Sequence, residues 1–142
     1  MRIEQGYFYW QTGEDLMLTP HFNTKEFECK EPHVTGTHKI SIELVGCLEA
    51  LRKTFKKPLR ITSGYRTEAY QEKLRGKGIG AAKKSQHTLG NAVDIQPWNK
   101  DRVDMAILEG LVADFFLALG FGESFIHVDT RRDTSRQWTY GK

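Results

Sequence analysis

From Ser41 to Phe55 the apolar residues Leu44, Val45, Leu48, Leu51 and Phe55 recur at steps of three and four, which lays them along one face of an amphipathic helix. Pro58 ends that element. The period then changes. Leu59 to Ser63 (LRITS) alternates, is β-branched at Ile61 and Thr62 and meets Gly64, so it reads as a strand running into a turn. Thr67 to Arg75 predicts a short helix, and the Gly- and Lys-rich segment RGKGIGAAKKSQ, residues 75–86, predicts a loop able to gate a site. Ala92 to Gln96 alternates again, with Val93 and Ile95 on one face and Asp94 on the other. A longer helix is predicted over Asp101 to Leu119, where Val103, Ile107, Leu111, Phe115 and Leu119 fall four apart and Gly120 stands as a C-terminal stop. In Phe125 to Asp129 (FIHVD), Ile126 and Val128 face one way and Phe125, His127 and Asp129 the other; a last strand is predicted through Gln137 to Tyr140.

Ahead of these elements, Gly6, Gly13, Pro20, Pro32 and Gly36 among scattered aromatics predict an irregular arm, residues 1–40, wrapped on a core formed by residues 41–142. The order of elements predicts a single α+β domain over residues 1–142, with a small central antiparallel sheet flanked by helices.

Composition narrows the function classes. At 142 residues and 39% hydrophobic content the chain can bury one core, and with 27% charged residues it contains no apolar window of about 20 residues that would insert in a membrane. A net charge of +3 suits an anionic polymer but is too small an excess to select nucleic acid, and no nucleic-acid partner is expected. The two cysteines, Cys29 and Cys47, lack a CxxC spacing, which excludes a cysteine-rich zinc module and a disulfide framework. The opening MRIEQGYFYWQTGED has no basic stretch leading into an apolar run, so a monomer that stays cytoplasmic until released is the expectation.

Candidate chemistry lies in the alternating segments. A metal ion that performs hydrolysis takes three ligands from His and carboxylate and keeps one position open for water. SQHTLGNAVDI supplies His87 and, seven positions on, Asp94, with Gly90 free to turn the chain between them; FIHVD supplies His127. Asp94 and His127 each stand opposite two β-branched residues, so a shared sheet would turn both to the same side. Taken singly, each has an ordinary reading: an Asp paired with an Arg, or a core imidazole donating to a carbonyl. Trp98, Trp138 and Tyr140 have two readings, stacking on sugar or peptide near the groove and packing at the core or rim, of which packing is the expectation; His21, His33 and His38 are expected as exposed residues of the arm.

SGYRT at 63–67, SQHTLGNAVDI at 85–95 and FIHVDTR at 125–131 occur in that order, and together they resemble the zinc D-Ala-D-Ala carboxypeptidase family, whose signature is S-x-H-x(6)-D followed by a distant His. That family is similar in its metal core to phage L-alanyl-D-glutamate endolysins, D-Ala-D-Ala dipeptidases and the hedgehog signalling domain. The likeness runs from about Leu59 to Trp138, and HFNTKEFEC near the N-terminus resembles the lead-in of phage-encoded members. The resemblance implies a Zn²⁺ held by His87, Asp94 and His127, a hedgehog-like α+β fold, and hydrolysis of a stem-peptide bond of peptidoglycan during phage or prophage lysis. It implies that Arg66 binds a substrate carboxylate or polarises the scissile carbonyl, and that Ser85 bonds to substrate or to loop backbone. Relatives carry Glu or Asp three residues before the last His, where this chain has Ser124 with Glu123 one step further back. Glu123 and Asp129 therefore stand as the two candidates for the general base, Asp129 also as a residue that orients His127. Two other functions use the same residues: a hedgehog-like metal-containing binding module without catalysis, and a non-haem iron oxygenase built on His127-x-Asp129 with a remote His.

Overall fold

The computed structural model describes residues 1–77 and 85–140, so most of the loop expected over residues 75–86, with Lys83 and Lys84, lies outside the described residues. The chain opens with β1 (Arg2–Glu4) and β2 (Tyr7–Gln11), then the short pair β3 (Met17–Thr19) and β4 (Phe22–Asn23). Asn23 caps the one-turn α1 (Thr24–Phe27) through a capping box with Glu26. β5 (Thr37–Ser41) returns antiparallel to β2, completing a sheet in the order β1-β2-β5.

These first forty residues are therefore not an irregular arm. Glycines and prolines mark the turns, but between them the aromatics pair as strands, and Trp10, Phe22, Phe27 and Ile40 are buried in the same core as the later elements. His38, expected in solvent, is buried because β5 alternates and sends it inward with Ile40; its ring stacks on Trp10 and bonds to Thr12 Oγ1 at 2.8 Å. His21 and His33 are exposed as expected.

Ser41 caps α2 (Ile42–Phe55), accepting from the Leu44 N–H, and the stripe of Leu44, Val45, Leu48, Leu51 and Phe55 is buried as its spacing predicts. After it come β6 (Leu59–Ser63), α3 (Glu68–Gly76) capped by Thr67, β7 (Ala92–Pro97), α4 (Arg102–Leu111), β8 (Ala118–Phe121), β9 (Ile126–Asp129) and β10 (Arg136–Thr139). The last five strands form one sheet in the order β10-β8-β9-β7-β6. The fold is α+β as expected, but the sheet is mixed: β10 runs parallel to β8, and the other pairings are antiparallel.

The helix expected to reach Leu119 stops eight residues earlier, at Leu111, followed by a 3₁₀ turn over Val112–Asp114. The four-residue spacing that suggested it is not the buried face: Val103 and Ile107 are exposed, and the buried stripe is Asp104, Leu108, Val112 and Phe116. Asp104 is tolerated there because Lys57 Nζ and Asn99 Nδ2 donate to its two oxygens at 2.8 and 2.9 Å. Ala118–Phe121 extends instead because it completes the ladder on β9.

One face of the five-stranded sheet carries Leu59, Ile61, Val93, Ile95, Leu119, Ile126 and Val128 into the core with α2 and α4. The opposite pleat positions are left for chemistry. No helix among the described residues is long and apolar enough to cross a membrane.

Candidate metal centre

Strand register assembles a row of residues on that opposite face. Ser63 on β6 pairs with Asp94 on β7, Asp94 with His127 on β9, His127 with Gly120 on β8, and Gly120 with Trp138 on β10. Directly paired positions point to the same side, so Asp94 and His127 meet without any help from loops. His87 arrives from outside the sheet. Its turn is held by Ser85, whose Oγ accepts from the His87 N–H at 3.1 Å and whose carbonyl accepts from Thr88. Gly90, at φ +75, brings the chain back toward β7.

His87, Asp94 and His127 form a buried group that could hold a metal ion, with one donor atom from each within 4.8 Å of the others. Asp94 Oδ1 lies 3.3 Å from His87 Nε2 and 3.1 Å from His127 Nδ1. Each imidazole is fixed from behind. His87 Nδ1 donates to the Gly64 carbonyl at 2.8 Å, which leaves Nε2 as the lone-pair nitrogen facing the cluster. His127 Nε2 donates to Asp129 Oδ2 at 2.8 Å, which turns Nδ1 toward Asp94. Asp129 is itself clamped: the Arg131 guanidinium donates to both its oxygens at 3.0 and 2.8 Å, and the Arg131 N–H donates to Oδ1 at 3.0 Å.

The electrostatics favour an ionised Asp94 between the two imidazoles. Burial lowers the pKa of His87 and keeps its imidazole neutral, outweighing the pull of Asp94. For Asp94, burial opposes ionisation, but His87 and His127 hold the carboxyl well below the usual carboxylate range. Burial likewise opposes charge on His127, yet its bonds to Asp129 and Asp94 outweigh that and raise its pKa. The Asp129 carboxyl is lowered to about 2: burial works against this, and His127 and Arg131 overcome it.

Arg66 stands at the edge of the cluster, its Nη2 3.6 Å from Asp94 Oδ2, its Nε on Ser63 Oγ and its Nη1 on Gln71 Oε1, both at 3.1 Å. Glu123 is not one of the three grouped donors. It is exposed in the turn between β8 and β9, a turn closed by the Gly122 N–H on the Phe125 carbonyl at 2.9 Å. Nor does the His127-x-Asp129 pair share a focus with His87 as an iron triad requires. Asp94 completes the group among the described residues, while Asp129 occupies the far nitrogen of His127.

Two contributors were not singled out from sequence. Gly64 was read only as a turn, yet a Cβ there would meet the Phe27 backbone at 2.7 Å, and its carbonyl is the anchor of His87. Arg131 follows Asp129 by two positions, and an Arg that close to a buried Asp was the available signal.

The sequence profile of the family described as Peptidase M15 matches residues 20–129, a span that contains the three cluster residues and Asp129. No curated protein and no solved structure matches the chain.

Proposed function

The chain belongs to the peptidase M15 family, whose members are metal-dependent peptidases acting on peptidoglycan, and from that premise we propose that it is a zinc peptidase of the peptidoglycan stem peptide. The observation that carries the reading is the spacing of the three donors. Ligands about 2.0–2.1 Å from a tetrahedral zinc stand roughly 3.3 Å from one another. Asp94 Oδ1 stands 3.3 Å from His87 Nε2 and 3.1 Å from His127 Nδ1, so two of the three spacings fit such a site, and the third lies within 4.8 Å. Two imidazoles and one carboxylate are also the donor set that favours zinc with an open position for hydrolysis. A Zn²⁺ bound there supplies a Lewis acid that polarises a peptide carbonyl and activates water.

The chain's own residues divide the remaining work. His87, Asp94 and His127 serve as ligands, with their rings held in one tautomer by Gly64 and Asp129. Asp129 acts as a positioning residue rather than as the base, since both its oxygens are engaged by His127 and Arg131. Arg66 keeps a guanidinium beside the cluster, suited to a substrate carboxylate or to the carbonyl oxygen as charge develops on it. Ser85 holds the backbone of the first ligand. With both Asp129 oxygens engaged, Glu123, exposed in the turn that leads into β9, is the candidate for the general base, and Glu123→Gln is expected to lower kcat by about 10²–10⁴-fold with zinc content unchanged.

The cleaved bond is either the terminal D-Ala-D-Ala or the internal L-Ala-D-Glu linkage, and the phage-like lead-in HFNTKEFEC supports a lysis role. Mass spectrometry of muropeptides digested by the zinc-loaded protein tests the whole reading. Products shortened at one of these bonds, and none after chelation, are expected. Intact muropeptides under both conditions, or cleavage insensitive to chelator and to His87→Ala, would sink it.

A further inference from the structure

The face that carries the cluster has a second feature to which the metal chemistry gives no role. Beyond His127, β8 presents Gly120 on this face, opposite His127, and Gly122 follows in the adjoining turn. Rings fill the space they leave. A Cβ on Gly120 would meet Trp138 Nε1 at 2.5 Å and Tyr140 Cε2 at 2.6 Å, and one on Gly122 would meet the Phe125 ring at 2.2 Å. The aromatic side chains thus lie down across bare backbone and reach toward the cluster. The Trp138 and His127 ring centroids are 5.3 Å apart, Trp138 and Tyr140 6.1 Å, and Tyr140 and Phe125 5.1 Å.

Rings serving only as core would be sealed, but Phe125, Trp138 and Tyr140 are each only partly buried, and the apolar core lies on the other side of the sheet. The Arg131 guanidinium, clamped on Asp129, lies 5.7 Å from the centre of the Trp138 ring. The cluster therefore has an aromatic surface beside His127 and the Arg66 guanidinium beside Asp94.

We propose that Phe125, Trp138 and Tyr140 form the apolar subsite that receives a small aliphatic side chain of the stem peptide, with the peptide lying between this wall and Arg66. The inference rests on the peptidase reading above and names the recognition surface of that same site. Flat ring faces beside a polar centre suit a methyl-bearing residue, and the Arg66 guanidinium beside Asp94 suits a neighbouring carboxylate. A sugar ring can also stack on tryptophan, but the wall reaches to within ring contact of His127, where the scissile peptide must lie.

The test uses the zinc-loaded full chain, a sugar-free stem pentapeptide, and an uncleavable reduced-amide analogue of it. Trp138→Ala removes the central ring, Trp138→Phe keeps an aromatic there, and Gly120→Ala retains every ring but forces the wall to shift. Trp138→Ala and Gly120→Ala are expected to weaken analogue binding and raise KM by about tenfold, with kcat, zinc content and circular dichroism near wild type; Trp138→Phe should recover most of the loss. Wild-type binding in both altered-wall variants overturns the proposal. So does loss of zinc in step with loss of binding, which would make the rings mere braces for His127, and so does a defect seen only with ligands that carry the disaccharide. Wild-type protein that binds the analogue through the wall yet cleaves no muropeptide would refute the peptidase reading and leave the subsite standing. Cleavage by wild type with indifferent variants would do the reverse.

Discussion

Gly64 shows how one missing methyl group can serve a site it does not join. A Cβ there would press on the Phe27 Cα and carbonyl oxygen at 2.7 Å, and these are backbone atoms that cannot rotate away. The Phe27 carbonyl also accepts from the Tyr65 N–H at 2.9 Å, so the two segments are fastened at this point. Gly64→Ala should therefore cost about 1–3 kcal/mol in urea unfolding and also weaken zinc binding, because the carbonyl that orients His87 moves with it. Gly46 is the control. It lies inside α2 with nothing within 4 Å of its would-be Cβ, so Gly46→Ala should stabilise by about 0.5–1 kcal/mol and leave zinc affinity alone. Asp129 separates two residue-level roles in the same way. If it positions His127, Asp129→Ala lowers zinc affinity by about 10–100-fold. Retention of full affinity with loss of turnover would return it to the role of base.

At the scale of elements, α4 makes the sharpest case. Its buried stripe begins with Asp104 and continues through Leu108 and Val112, while Val103 and Ile107 face solvent. Leu108→Ala should cost about 2–5 kcal/mol, and Ile107→Lys should stay within about 0.5 kcal/mol of wild type, both read by chemical denaturation. The opposite order would restore the face predicted from sequence. That face misled because Val103, Ile107, Leu111, Phe115 and Leu119 keep a helical period across a stretch that contains a helix, a 3₁₀ turn and the start of a strand. α2 was legible for the converse reason: its apolar stripe is also its buried stripe. Strand phase was legible wherever a strand has one core face, and this is why Asp94 and His127 could be placed together from sequence. The β2–β5 pairing was not, since it joins residues some thirty positions apart, such as Trp10 with His38, and no local pattern encodes that; the β1–β2 and β3–β4 hairpins are local, but their strands are only two to five residues long and too short to show a period. Trp138 and Tyr140 could be read as groove aromatics, but their place across Gly120 was hidden, because Gly120 read as a helix stop until β10 was seen to run parallel beside it.

The whole molecule is organised so that metal and fold support each other. The three cluster residues come from β7, β9 and the turn ahead of β7, and His87 is further anchored to Gly64 at the end of β6, so an ion there ties together strands separated by more than sixty positions in the chain. An ion that binds the folded state and not the unfolded one stabilises it by mass action, about 2.7 kcal/mol when free metal stands at a hundred times its dissociation constant. For a chain of this size each kcal/mol moves the midpoint of thermal unfolding by about 2–4 °C. Chelation should therefore lower Tm by roughly 5–10 °C in differential scanning calorimetry, and added Zn²⁺ should restore it. The same experiment on His87→Ala distinguishes a specific site from casual metal binding. That variant loses one of the three donors, so its Tm should sit near the chelated value and respond little to zinc. Gly46→Ala, remote from the cluster, should keep the full metal-linked shift on top of its own small gain. A zinc-dependent shift that survives His87→Ala unchanged would mean that the stabilising ion binds somewhere other than the row formed by Asp94 and His127.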